Sequence, residues 1–401
     1  MIVFAGGDLV LPDRILSAGS LLVDDGRIVA IDPRPHVEPA GAEIIDVRDC
    51  YIVPGFVDVH VHGVEGNDTL DRGDAIGSIA SKLPRYGVTA FCPTTVACAP
   101  DDLRRVLRMV RDARVAPHSG HARVLPAHLE SNFINPDYRG AQPADCLRLP
   151  HAADAEGNFT GRAILDVIAS ARADVGIVTL APELPGALTL VTELVAAGHR
   201  VSLGHSGASV DETMDAIDAG ARHATHLFNR MTPLMHRAPG IAGAILARDE
   251  VAAELICDGY HVHPAMCRVA IAAKSTEGIM AITDGTGGSG LSPGSTARLG
   301  GREITVTEHA AFLSDGTLAG STLTMDRAFR TIVSQLELSI VDAAQLCATT
   351  PARQLGLTGF GVIAEGAVAD LAILDAGFAV VRTFIAGQQV YVRKQEEGGR
   401  R

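Results

Sequence analysis

Pro54-Gly55-Phe56-Val57-Asp58-Val59-His60-Val61-His62-Gly63 is an apolar run that carries two imidazoles two residues apart. On a β-strand, residues i and i+2 project from the same face, so this spacing aims both rings at one place and turns the intervening valines away. The run fits a buried parallel strand with a polar end, provided that other strands end in the same way. Seven further apolar runs, 87–93, 122–129, 175–180, 200–204, 222–227, 252–257 and 278–283, join 55–61 as candidate strands. Between them, 74–85, 101–114, 163–173, 187–197, 209–219 and 264–274 repeat apolar residues at helical spacing. Eight strand–helix units predict an α/β protein of the (β/α)8 TIM-barrel type, in which reactive residues sit at the C-terminal ends of the strands. A doubly wound open sheet is the competing arrangement, but no G-x-G-x-x-G follows the first strand, so dinucleotide binding finds no support.

The strand ends carry chemistry. The third ends in His128-Leu129-Glu130, the fifth in Gly204-His205-Ser206, the sixth in Thr225-His226-Leu227 and the eighth in Thr283-Asp284-Gly285. With His60 and His62, five of the eight predicted ends bear imidazole or carboxylate, which packing alone does not require. Nitrogen and oxygen donors without thiolate suit one or two catalytic divalent ions, zinc by preference, with a position open to water. A divalent ion there lowers the pKa of water and polarises a carbonyl, and a nearby carboxylate accepts the water proton and delivers it to a leaving amine. Asp284 reads as that carboxylate. Glu130 reads as a ligand or, if His60 and His62 hold a second ion, as a bridge. His199 and His223 read as structural, and the Gly-rich turn 285–290 as a mobile lid or, less readily without a following P-loop lysine, a phosphate cradle.

The flanks differ in style. Residues 1–52 and 355–395 read as short strands with turn signals at Asp25-Gly26 and Ala386-Gly387, which predicts a small β-sandwich built from both chain ends. The barrel then takes 53–354. The 401-residue chain has 34 Lys and Arg against 47 Asp and Glu, a formal charge of −13, with no basic run of nucleic-acid type. No apolar stretch reaches membrane-spanning length and no basic segment precedes an apolar one at the N-terminus, so the expectation is a cytoplasmic protein. Seven scattered cysteines read as buried thiols.

PGFVDVHVHG (54–63), HLE (128–130), GHSGAS (204–209), ATHLFNRMTPLMHRAPG (224–240), DGYHVHP (258–264), AITDG (281–285), LAGSTLTMDRA (318–328), ATTPARQLGL (348–357) and GAVADLAILD (366–375) together resemble the N-acetylglucosamine-6-phosphate deacetylase family of the amidohydrolase superfamily. The resemblance runs in order from about residue 50 to 376. It implies the same barrel with a small β-sandwich, a divalent metal, usually a homodimer, and hydrolysis of the acetamido group of an amino sugar 6-phosphate. By position it implies Glu130, His205 and His226 as principal ligands, Asp284 as catalytic acid and base, and His60 and His62 as the pair that holds a second ion in some members. It further implies that the backbone of Asn229 and Arg230 approaches the sugar phosphate. Arg237 and His261 match a cationic pair on that phosphate, supplied in the family by the neighbouring subunit.

Two departures fall on the substrate side. Ser131-Asn132-Phe133 stands where the family has Gly-Pro-Phe or Gly-Pro-Trp, and Gln142 stands where a substrate-contacting His is usual. A neutral amide still bonds a hydroxyl but carries no charge. The expected substrate is therefore an N-acetylhexosamine 6-phosphate, N-acetylglucosamine 6-phosphate first, with another epimer, another acyl group or a cyclic amide as the alternative.

Overall fold

The structure, a computed structural model, describes residues 1–32, 41–152 and 157–394. Residue 395, the last one assigned to the β-sandwich from sequence, lies outside them.

Eight parallel strands form the central sheet: β1 (Phe56–Val61), β2 (Val88–Thr95), β3 (Ala127–Glu130), β4 (Val175–Leu180), β5 (Arg200–Leu203), β6 (His223–Ala224), β7 (Ala252–Ile256) and β8 (Ile279–Ile282). Each pairs with the next in chain order. The circle closes between β8 and β1 through a bridge from Val61 to Gly285 and through Asp58, whose carboxylate accepts the Thr283 hydroxyl at 2.6 Å. Along β1 the strand period sorts the side chains as read from sequence. Val57, Val59 and Val61 enter the main apolar core, while Asp58, His60 and His62 share the other face.

Burial pushes Asp58 up to about 7, against the hydrogen bonds from Thr283 and the His60 main chain that favour its charged form. Thr283→Val, which keeps the shape and deletes the hydroxyl donor, is expected to lower stability by about 1–3 kcal/mol, the worth of a buried acceptor left short of a partner. Urea denaturation of the two proteins measures the difference, and an unchanged midpoint removes the clasp from the account of barrel closure.

The predicted helices appear as Ala75–Lys82, Pro100–Val115, Gly161–Ser170, Ala187–Ala196, Val210–Asp218 and Pro264–Gly278. Two strands differ from expectation. The run 122–129 splits into Arg123–Val124, paired with β2, and β3, with Pro126 and its missing N–H in between. The run 222–227 keeps ladder pairing only at His223–Ala224, because His226 turns into the left-handed region. Unforeseen from sequence is a three-stranded antiparallel sheet inserted after β8, Thr296–Leu299, Arg302–Val306 and Ala311–Leu313. The Gly-rich turn before it is wall, not lid: Gly285 to Ser289 are buried, and the Gly285, Gly287 and Ser289 carbonyls accept N–H groups of His62, Gly63, Gly66 and Glu65 at 2.7–2.9 Å.

The chain ends meet in one continuous sheet. Its order is Gln388–Val392, Val380–Ile385, Leu371–Leu374, Tyr51–Pro54, Ile2–Val10, Ile15–Asp24 and Arg27–Asp32, with Glu43–Asp46 also on Ile2–Val10. A separate apolar cluster fills it, and the Phe4 and Phe384 rings meet edge to face at 4.8 Å, joining the two ends of the polypeptide. Asp25-Gly26 and Ala386-Gly387 are the expected tight turns, each with both residues at positive φ, the geometry that matches strand twist in a hairpin. Among the described residues no helix is long and apolar enough to cross a membrane.

Candidate active site

Six side chains from five strand ends converge at the C-terminal mouth of the barrel. Glu130 Oε1 lies 2.8 Å from His205 Nε2 and 2.8 Å from His226 Nε2, and these two nitrogens are 3.1 Å apart. On the other side His60 Nε2 and His62 Nε2 approach to 3.2 Å, with Glu130 Oε2 3.5 Å from His62. Asp284 Oδ1 stands 3.3 Å from both of the latter nitrogens. All six are buried. Glu130 therefore lies between two sets of donors, and both sets have ligand atoms close enough to share an ion.

The donor set fits a metal by its tautomers. His205 Nδ1 lies 2.8 Å from the Tyr138 carbonyl, and His60 Nδ1 lies 2.9 Å from Glu254 Oε2. A carbonyl or carboxylate only accepts, so both rings carry a proton on Nδ1, which in the neutral imidazole leaves Nε2 as the ligating atom. Lone pairs facing one another and a carboxylate at about 3 Å repel unless positive charge lies among them. The electrostatics call for positive charge at the same place. Burial opposes the charged form of His62, yet Asp284 and Glu130 outweigh it and push this imidazole up to about 10. Against the same burial, Glu130 pushes His226 up to about 9. Burial likewise opposes ionisation of Glu130 and Asp284, but the surrounding imidazoles hold both carboxyls below their usual range.

Three of these residues sit at left-handed backbone: His205 at φ 49°, His226 at φ 29° and Asp284 at φ 48°. Each ends its strand with a turn that re-aims the side chain across the barrel axis, a conformation that L-residues adopt only when the surroundings enforce it.

Glu254, on β7, was not found from sequence. Its buried carboxylate receives His60 Nδ1 at 2.9 Å, His223 Nε2 at 2.9 Å and the His226 main-chain N–H at 3.1 Å. Burial opposes its charge, and His60 and His128 outweigh that, holding it well below the ordinary carboxylate range. His223 is thus structural, as read. So are His128, tied to the Val59 carbonyl and the Thr179 hydroxyl, and His199, tied to the Val175 carbonyl.

A cavity of about 60 Å³ opens onto the cluster, and Gln142, Asn229, Arg230 and His261 line it together with Leu299 and Leu318 from the inserted segment. His261 has both nitrogens engaged, with the Asp258 carboxylate at 2.6 Å and the Gly320 carbonyl at 3.1 Å, and Asp258 raises its pKa against burial. Gln142 differs from the expected substrate contact: its amide nitrogen bonds Glu130 Oε2, and its oxygen accepts the Ala97 N–H at 2.7 Å. Ser131 and Asn132 do not line the cavity. Ser131 bonds the Thr179 carbonyl, and Asn132 pins the Cys98 and Cys146 carbonyls. Arg237 is exposed and is not among the lining residues either.

The amidohydrolase family profile matches residues 51–390. The chain is 33% identical over 393 residues to N-acetylglucosamine-6-phosphate deacetylase of Bacillus subtilis, covering 97% of each. It is 34% identical over 383 residues to N-acetylgalactosamine-6-phosphate deacetylase of Escherichia coli O157:H7, covering 95% of this chain and 97% of that one. Among solved structures it resembles a mutant N-acetyl-D-glucosamine-6-phosphate deacetylase from Mycobacterium smegmatis in complex with N-acetyl-D-glucosamine-6-phosphate. The two share 32% identity and a TM-score of 0.86, over 98% of this chain and 99% of that one.

Proposed function

Since the chain belongs to the amidohydrolase family, we propose that its barrel mouth deacetylates an N-acetylhexosamine 6-phosphate, releasing acetate and the free amino sugar phosphate. The observation that carries the reading is the convergence of His60, His62, Glu130, His205, His226 and Asp284 on one buried point beside a small cavity. Glu130, His205 and His226 would hold one ion, and His60 and His62 with Glu130 another; zinc suits the donors. Bound there, a divalent ion supplies Lewis acidity toward the amide carbonyl and acidifies water.

The chain's own residues do the rest. Asp284, ionised and buried, takes the water proton on a carboxylate oxygen and delivers it to the departing nitrogen. Glu254 and the Tyr138 carbonyl fix the ring orientation of His60 and His205. A cavity of about 60 Å³ admits the reacting acetamido end rather than a whole sugar phosphate, so the phosphate extends outward along Asn229 and Arg230 toward His261, which lines this copy's own cavity rather than its neighbour's. Arg237 is exposed beside exposed Leu234 and Met235, which suits a homodimer in which it serves the neighbouring copy's phosphate. We take the protein to work in the cytoplasm.

Acetate release from N-acetylglucosamine 6-phosphate, its galacto epimer and unphosphorylated N-acetylglucosamine tests the reading. Loss of the phosphate is expected to lower kcat/KM about a hundredfold, the worth of two hydrogen bonds to a charged group. Equal rates with and without phosphate overturn it. The galacto epimer is the second reading, favoured by the similarity to the E. coli enzyme and by Gln142, which is turned to Glu130 where the family expects a sugar contact.

A further inference from the structure

At the opposite end of the barrel a second cavity, of about 910 Å³, opens beneath the N-terminal ends of β3, β4 and β5. Arg114, Arg123, Arg172 and Arg200 line it, with His199 beside them, and among the described residues its lining includes no Asp or Glu. That is unexpected in a chain whose carboxylates outnumber its cations 47 to 34.

Two of the guanidiniums are neutralised: Arg114 pairs with Asp174 at 2.5 Å and Arg123 with Asp370 at 3.0 Å. The other two are not. Among the described residues, neither Arg172 nor Arg200 makes a side-chain hydrogen bond or ion pair, although Arg200, the first residue of β5, is half-buried. Burial disfavours the Arg200 charge, and no carboxylate offsets it. Arg200 and Arg114 both act electrostatically on the buried Cys92 thiol, which lines the same cavity. Leu125, Leu355 and Leu357 supply an apolar side to the same cavity.

We propose that this cavity binds a small phosphate-bearing organic anion, its phosphate on Arg200 and Arg172 and its carbon skeleton against the leucines. A guanidinium fork matches phosphate oxygens two at a time, and a desolvated, unpaired guanidinium gains most from such a partner. The volume lies in the range of small-molecule sites. The site is distinct from the metal cluster, which lies at the strands' other ends.

Calorimetric titration of the metal-loaded protein with adenosine monophosphate against adenosine, and glycerol 3-phosphate against glycerol, tests this. Saturable binding is expected for both phosphates and for neither parent. Arg200→Met and Arg172→Met are each expected to raise Kd about tenfold, one hydrogen bond to a charged group, and to leave deacetylation unchanged. Arg172 is exposed, so its variant folds even if that of Arg200 does not. Hydrogen exchange is expected to slow at 172–176 and 197–200 on binding. Absence of saturable binding, wild-type affinity in both variants, or protection confined to 226–230 at the metal end overturns the proposal.

Discussion

Replacing Asp284 with Asn is expected to lower kcat about 10²–10⁴-fold, the usual worth of a general acid–base, with KM and metal content near those of the unaltered protein. Asn reproduces the volume of Asp and keeps a hydrogen-bonding oxygen, but it cannot hold a proton taken from water. Asp284 Oδ1 is 3.3 Å from His60 Nε2 and His62 Nε2, which places the carboxylate beside the donor cluster. Its main chain is anchored independently: the Asp284 carbonyl accepts the Ser321 N–H at 2.8 Å, and the Ser321 hydroxyl bonds the Thr283 carbonyl. The substitution therefore leaves the turn in place. Acetate release and metal analysis on the same preparation read the two effects separately. Undiminished turnover refutes the shuttle, and loss of metal alongside activity reassigns Asp284 to ligation.

The second large effect belongs to a residue that does not line the cavity. Glu254→Ala strands the Nδ1–H of His60, the ring of His223 and the main-chain N–H of His226 inside the barrel. Removing one partner from a buried charged network costs about 3–5 kcal/mol, and that loss is expected in chemical denaturation of the metal-free protein. Glu254→Gln separates stability from chemistry. The amide keeps one oxygen, enough for the His60 Nδ1–H and the His226 main-chain N–H that share Oε2, and turns its NH2 toward His223, whose ring accepts it in the other tautomer. It gives up the charge that orients His60, so metal affinity is expected to fall about 10–100-fold while most of the stability remains. Wild-type metal affinity in the Gln variant reduces Glu254 to packing.

The sequence made the barrel legible because its strands are short apolar runs and the candidate ligands end them. The His60 and His62 spacing survives intact since strand period alone decides it. Glu254 escapes a reading of strand ends because it lies in mid-strand, in Ala252-Ala253-Glu254-Leu255-Ile256. A lone carboxylate in an apolar run was itself the signal, since a buried charge must be partnered. The inserted sheet was also readable in retrospect: Thr296-Ala297-Arg298-Leu299, then Gly300-Gly301, then Arg302-Glu303-Ile304-Thr305-Val306 alternates in burial about a Gly-Gly turn. No pattern in the sequence told that Gln142 serves Glu130 or that Asn132 faces away from the cavity. Those facts depend on how 131–147 folds back on the barrel, which rests on contacts distant in the chain.

The left-handed backbone at His205, His226 and Asp284 has an evolutionary corollary. At such φ values glycine is the relaxed residue, and an L side chain is tolerated only under constraint. Selection for heat resistance alone would thus favour shedding these very side chains, and a library screened only for survival on heating would drift toward robust, inert proteins. Only a screen that also scores turnover keeps the strained trio in place.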